Sequence, residues 1–269
     1  MTPFEAAVAW VPGCGAGEAV PRLQPLTGGL SNRAFRVTSA AGDFVLRLGP
    51  PLPEAQRLGV DRDAEIAAQR AAAAGGIAPQ LVLADPVAGI LVMEYVAGEA
   101  PPPGWSGDAG WRTGFAALLA ALRRLPVPPQ VPPVSLPSRL LELHARLRAL
   151  DPGAAAALAG AVEDGLRGWH AAGAGAGEAC LVHSDPNPAN VLRRPDGRLM
   201  LLDWEYAHAG DPLEDSAAIA ADGRLAAELL AGIAGVEPQR LAGVGRCQAA
   251  LARVWAGLQA AATGAAGGA

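Results

Sequence analysis

The chain has 269 residues, a net charge of −5, 51% apolar residues and only 17% charged residues, which is ample material for a core and less charge than the roughly 25% of an average soluble protein. All 21 of its Lys-plus-Arg residues are arginines, which excludes catalysis through a lysine Schiff base and a phosphate loop of the G-x-x-x-x-G-K-[ST] type. The pI near 5.4, with no basic stripe and interleaved aromatics, argues against nucleic-acid binding. Cys14, Cys180 and Cys247, far apart in the chain, make neither a disulfide framework nor a zinc site.

The N-terminus carries Glu5 and no basic segment before an apolar run, so no signal peptide is expected. No apolar stretch of about 18 residues occurs, so no membrane span is expected either. These features and the cysteine usage together point to a cytoplasmic protein. Residues 33–38 and 43–48 predict the two strands of a hairpin joined across residues 39–42. A helix is predicted over residues 61–74, with Asp61 or Asp63 near its start and Gly75-Gly76 closing it. Residues 79–83 and 89–96 predict two more strands on either side of the turn Asp85-Pro86.

Residues 98–107, rich in proline and glycine, predict a linker. Beyond it the periodicity becomes helical. Helices are predicted over residues 111–125, over 139–150 with Ser138 as the cap, and from Asp151-Pro152 to about His170. Residues 223–264 predict further helix, with a frayed tail after Gly264. The organisation expected is α+β: a small sheet lobe over residues 1–97 and a larger helical lobe over 98–269, the latter interrupted by β structure within 180–203.

The densest polar chemistry lies in that interruption. A strand-like start at Leu181-Val182 runs into His183-Ser184-Asp185 and then Asn190. A second β segment follows the turn Pro195-Asp196-Gly197 and ends at Asp203. A two-residue Asp196-Gly197 turn would set Asn190 directly opposite Asp203, where facing Cβ atoms lie about 5 Å apart. An amide oxygen and a carboxylate at that spacing suit magnesium, which leaves its other positions to water and phosphate. Asp185, at the start of the same loop, is placed to accept a proton from a substrate hydroxyl. An Asp, an Asn five residues on and an Asp at a strand end form the layout of phosphoryl transfer in kinase-like folds.

These segments, with Leu202-Asp203-Trp204-Glu205-Tyr206 and Gly210-Asp211-Pro212-Leu213-Glu214-Asp215, resemble the aminoglycoside phosphotransferase and choline kinase superfamily. The resemblance covers nearly the whole chain and implies a two-lobed, protein-kinase-like fold that phosphorylates small molecules. By it, Asp185 is the catalytic base, Asn190 and Asp203 are magnesium ligands, and Asp215 is the aspartate that supports the catalytic loop. Ser184 stands where the family usually has glycine, and Ser216 where leucine is usual.

The same resemblance organises the N-terminal lobe. Gly29, Ser31 and Asn32, in Thr27-Gly28-Gly29-Leu30-Ser31-Asn32, precede the first hairpin strand, where glycine lets backbone approach phosphate. Arg47 occupies the place of the strand lysine that holds the α- and β-phosphates. Glu65, on the following helix, is its expected partner. Glu94 and Val96 lie where backbone groups would bind adenine.

Trp204, Glu205, Tyr206 and Asp211 are the acceptor-site candidates, since aromatic and carboxylate groups suit a quaternary or thiazolium cation. The expected activity is therefore ATP- and Mg2+-dependent phosphorylation of a small cationic alcohol of the choline, ethanolamine or thiamine type. An aminoglycoside or amino-sugar kinase is the alternative. A nucleotide-binding pseudokinase is the alternative of another class, against which Asp185, Asn190 and Asp203 together argue. Residues 203–215 leave little room for the activation segment of a protein kinase. A small molecule is the expected partner, with no nucleic acid and no membrane.

Overall fold

The hydrophobic alternation of the N-terminal third resolves, in a computed structural model, into an antiparallel five-stranded sheet. The structure describes residues 3–26, 32–57, 59–221 and 225–266. The chain divides into two compact units. One comprises Met1–Pro103, Leu125–Val131 and Asn187–Ala207; the other comprises Gly104–Arg124, Pro132–Pro186 and His208–Ala269.

In the first unit, helix α1 (Pro3–Val8) precedes strands β1 (Arg22–Leu26), β2 (Arg33–Ser39) and β3 (Gly42–Leu48). Helices α2 (Leu52–Arg57) and α3 (Arg62–Ala74) follow, then β4 (Leu81–Asp85) and β5 (Ile90–Glu94). The sheet order is β1-β2-β3-β5-β4. The predicted hairpin is present with a shorter turn: Ser39 pairs with Gly42, and Gly42 takes φ +129°, a value open to glycine at no steric cost. The predicted helix is also present. Asp61 caps it by accepting from the Asp63 and Ala64 N–H groups, and Gly75 is its C-cap.

Strand β1 and helices α1 and α2 were not anticipated. Strand β1 contains Pro25, which argues against a central strand; as an edge strand, β1 tolerates the missing donor. Ala7, Val8 and Val11 pack on Val37, Leu46 and Val92, with Phe35, Phe44 and Leu48 against them, which covers one face of the sheet. Leu46 therefore points toward α1, and its neighbour Arg47 points to the opposite face, where α3 carries Glu65.

A short hairpin completes this unit. Strand β7 (Val191–Arg193) pairs with β8 (Leu199–Leu201) in the register Val191↔Leu201 and Arg193↔Leu199. Glu99 and Arg193 make an isolated antiparallel bridge, and the Leu201 N–H donates to the Ile77 carbonyl.

The second unit is mainly helical. It contains α4 (Ala109–Leu122), α5 (Leu136–Leu150), α6 (Pro152–Ala171) and α7 (Glu214–Ala221). Two further helices, α8 (Ala227–Ala234) and α9 (Pro238–Ala266), complete it. Its two-stranded sheet pairs β6 (Cys180–Val182) with β9 (His208–Gly210). Asp151 caps α6 through the Ala154 N–H, as expected.

Ser138 does not cap α5. The helix begins three residues earlier than expected, at Leu136, because Pro137 is tolerated in a first turn, where its missing N–H has no partner to lose. The helix predicted over residues 223–264 is interrupted. Helix α8 ends at Gly235 with φ +67°, and α9 starts at Pro238, a glycine stop followed by proline. Leu140, Leu143 and Leu147 form the buried face of α5.

Candidate active site

In the first unit the site is a cluster of charges on the α3 side of the sheet. Arg47 is 6% exposed. Its Nη2 donates to Glu65, and its Nη1 donates to Asp203 Oδ1 at 2.6 Å. The expected pairing of Arg47 with Glu65 is thus present, and Asp203 takes the other branch of the fork. Burial works against the Arg47 charge, but Glu65, Asp203 and Glu205 more than compensate and hold its pKa above the ordinary value.

A second arginine belongs to the cluster and was not foreseen from the sequence. Arg62, 2% exposed, donates from Nη1 to Glu65 Oε2 at 2.6 Å and from Nη2 to the Pro50 carbonyl at 3.2 Å. Its place three residues before Glu65, on one helix face, is the signal that was available.

Asp203 has φ +63°, in the left-handed region that Asp enters more readily than most residues. This turn directs its carboxylate to Arg47 just after the Leu202 N–H has donated to the Asn190 carbonyl. The pairing therefore sets Asn190 opposite Leu202, which corrects the expected Asn190–Asp203 opposition. The loop of the hairpin has three residues, 195–197, with Gly197 at φ +81°. A two-residue turn would also require φ > 0 at Asp196, whereas a turn closed by glycine in the left-handed region does not. Asn190 itself ends the single turn Pro188–Asn190.

Glu205, an acceptor candidate, is 6% exposed and lies in this cluster. Glu65, Asp203 and Glu205 each offer a carboxylate oxygen within 4.8 Å of the others. Asn32 Nδ2 donates to Glu205 Oε2 at 3.0 Å. Burial and the Asp203 charge push the Glu205 carboxyl up, against the opposing pull of Asn32 and Arg47. Asn32 Oδ1, Arg47 Nε and Arg62 Nε are buried with no hydrogen-bond partner. The donor set fits a metal with a phosphate: hard carboxylate oxygens for a cation and unsatisfied guanidinium N–H groups for an anion.

The other nucleotide-side residues are placed as follows. The Glu94 N–H donates to the Gln80 carbonyl, and the Tyr95 N–H to the Asp43 carbonyl, which fixes the end of β5; Val96 follows in the loop. Gly29 and Ser31 lie outside the described residues. Trp204 is 1% exposed, with Nε1 donating to the Leu201 carbonyl at 3.2 Å, so its ring is buried. Tyr206 is half-buried.

In the second unit the loop after β6 carries Asp185. Asp215, buried at the start of α7, accepts the N–H groups of His183 and Ser184 on its two oxygens, each at 2.9 Å. Burial raises its pKa, and His183, the two backbone donors and His208 oppose that rise. The Asp185 N–H donates to His183 Nδ1 at 3.2 Å. Asp211 accepts the Gly175 N–H on one oxygen at 2.7 Å and the Leu213 N–H on the other at 2.9 Å. Both of its oxygens thus serve the backbone of this unit. Burial pushes the Cys180 and Cys247 thiols up to about 12, which leaves neither as a thiolate nucleophile near neutral pH.

An antiparallel sheet with Arg47 held by a helix glutamate, a strand-end aspartate and a helical unit carrying a His-x-Asp loop define a protein-kinase-like fold with the parts of a phosphotransferase. The chain belongs to the phosphotransferase enzyme family that includes the aminoglycoside phosphotransferases, which it matches over residues 22–260. No curated protein matches it.

Among solved structures, it is similar to a choline/ethanolamine kinase family protein from Mesorhizobium loti, with TM-score 0.75 and 23% identity over 97% of this chain and 86% of that one. It is also similar to the choline kinase LicA from Streptococcus pneumoniae, with TM-score 0.68 and 18% identity over 88% and 86%; LicA has been solved in complex with AMP as well. The macrolide 2'-phosphotransferase MphH from Brachybacterium faecium gives TM-score 0.57 and 20% identity over 90% and 87%. These likenesses show the fold. Among the described residues, no helix is long and apolar enough to cross a membrane.

Proposed function

We propose that the chain is a cytoplasmic, ATP- and Mg2+-dependent O-phosphotransferase acting on a small cationic alcohol of the choline, ethanolamine or thiamine type. The observation that carries the reading is the Arg47 fork, clamped between Glu65 and Asp203 with Nε still unsatisfied. A planar guanidinium fixed in this way keeps Nε as a single unpaired donor for one hydrogen bond to phosphate. Residues 1–97 serve as the nucleotide lobe in this reading, with Gly29, Ser31 and Asn32 near the phosphates and Glu94 and Val96 near adenine. Residues 98–269 supply the acceptor side.

Asn190 and Asp203 would hold magnesium, which supplies positive charge to the phosphates. Asp185 accepts the proton of the acceptor hydroxyl as the hydroxyl oxygen attacks the γ-phosphorus of ATP and the bond from that phosphorus to the departing ADP breaks. Arg47 holds the phosphates, and Glu65 keeps the guanidinium in place. Arg62 shares the Glu65 charge and keeps that carboxylate oriented.

The amino-sugar or aminoglycoside reading has one observation in its favour. Trp204 is buried, so it presents no aromatic face to a quaternary cation, and Tyr206 is left as the aromatic candidate. The two are separated by ADP release measured with choline, ethanolamine, thiamine, amino sugars and aminoglycosides, each with Mg2+ and with EDTA. Turnover on choline, ethanolamine or thiamine that EDTA abolishes supports the proposal. Turnover confined to the sugars moves the acceptor class. Turnover unchanged by EDTA removes the metal.

A further inference from the structure

A hydrogen-bonded chain of side chains lies behind the catalytic loop and takes no part in the roles assigned above. Ser184 Oγ is 2.8 Å from His208 Nδ1, and His208 Nε2 is 3.1 Å from Glu214 Oε2. The other Glu214 oxygen accepts the Asp211 N–H at 2.7 Å. Glu214 and His208 are buried, at 1% and 8% exposure. Each anchor belongs to a regular element: His208 opens β9, directly opposite Val182 of β6, and Glu214 opens α7. The carboxylate on Nε2 favours the proton there, which leaves Nδ1 to accept from the Ser184 hydroxyl.

Space has been left for this chain. A Cβ on Gly210 would lie 2.6 Å from Glu214 Oε1 and 2.7 Å from His208 Nε2, so any side chain at 210 would displace both groups.

Ser184 has φ +75°. A non-glycine residue pays roughly 1–2 kcal/mol for that conformation, and it persists only where its surroundings over-determine it. Here the backbone N–H is tied to Asp215 and the side chain to His208. The residue so held is the one immediately before Asp185.

We propose that Ser184, His208 and Glu214 form a positioning relay that holds Ser184 in its left-handed conformation and so sets the direction of Asp185. The catalytic meaning of the relay rests on the reading of Asp185 as the base; its geometry does not. Glycine takes the same φ without strain, so the relay compensates for a side chain at a position where none is needed sterically.

The test is amide hydrogen exchange over residues 181–187 in the intact protein, free of ligand. Ser184→Ala and His208→Ala should each speed exchange of this segment by about tenfold, the scale of a strained left-handed residue. Ser184→Gly should recover most of that loss. His208→Ala added to Ser184→Gly should then add little. Ser184→Ala indistinguishable from wild type, Ser184→Gly as fast as Ser184→Ala, or a full His208 effect in the glycine background would each overturn the proposal.

Should His208→Ala fail to fold, the His208 imidazole 15N spectrum decides. Ser184→Ala should shift Nδ1 and leave Nε2 largely in place, and an unmoved Nδ1 resonance removes the relay. Turnover with MgATP and choline as the probe acceptor separates the two readings. If Asp185→Asn retains activity while the exchange pattern appears, the base assignment fails and the relay stands as a loop clamp. If Asp185→Asn is inactive and the pattern is absent, the relay alone fails.

Discussion

Arg47 shows how one side chain can be specified by its neighbours. Its Nη1 and Nη2 are held by two carboxylates, and only Nε lacks a partner. Lysine carries a single point charge on a flexible stem and cannot bridge both carboxylates with that geometry. Arg47→Lys is therefore expected to raise the Michaelis constant for ATP and to lower thermal stability, although it keeps the charge. Arg47→Ala should do so more severely, because it leaves Glu65 buried with only Arg62. Initial rates at varied ATP, with a melting curve for each variant, check this; an unchanged ATP constant in Arg47→Ala would place the phosphates elsewhere. Asp185→Asn should lower kcat by about 10²–10⁴ with nucleotide affinity unchanged, as read by steady-state rates and by nucleotide binding to the variant. Near-normal turnover would remove Asp185 from the chemistry.

At the level of elements, close approaches of backbone decide what the residues can do. Gly49 lies at the end of β3, where a Cβ would collide with Arg62 Nη2 and come within 2.7 Å of Asn32 Oδ1. The glycine lets the guanidinium pass under the strand to reach Glu65. Gly49→Ala is expected to cost about 1–3 kcal/mol, the range for overpacking a filled site, and to weaken ATP binding because Arg62 can no longer brace Glu65. In the helical unit, Gly168 of α6 faces the Gly243 carbonyl of α9, and a Cβ there would stand 2.7 Å from that oxygen. Gly168→Ala should lower stability by a similar amount without altering the Michaelis constants. Chemical denaturation of both variants, set beside their kinetics, distinguishes a change at the site from a change in helix packing. Equal effects on ATP binding would contradict the separation.

For the whole molecule, buried acids set the dependence of stability on pH. Burial raises the Glu205, Glu214 and Asp215 carboxyls above their ordinary values of 4.5, 4.5 and 3.8. A raised folded pKa means that the linked stability is complete below the unfolded value and is lost as pH rises through the folded one. Metal-free protein should therefore gain melting temperature on mild acidification from neutrality. Glu205→Gln should diminish that gain and raise the neutral-pH melting temperature in EDTA. A pH profile that Glu205→Gln leaves unchanged would contradict this. MgATP at about 100 times its dissociation constant should add about 2.7 kcal/mol of stability. Asp203→Asn should remove most of that increment, as differential scanning calorimetry would show.

Local elements and the order of the chemistry could be read directly along the chain. The β2–β3 hairpin, helix α3 with its Asp61 cap, and α6 with Asp151-Pro152 at its start are governed by near neighbours, because turn and cap chemistry acts over a few residues. The pairing of Arg47 with Glu65 was also legible, since a strand and the helix after it carry the two groups. The rest depends on long-range packing. Strand β9 is three residues long and exists because β6 lies beside it. The hairpin register depends on the backbone conformation of Asp196 and Gly197, and composition alone does not distinguish a two-residue from a three-residue loop. Arg62, Asn32 and Glu205 join one cluster through contacts that span up to 173 positions of sequence. Such contacts form only when the unit closes and burial makes every unpaired charge costly, so no local pattern encodes them.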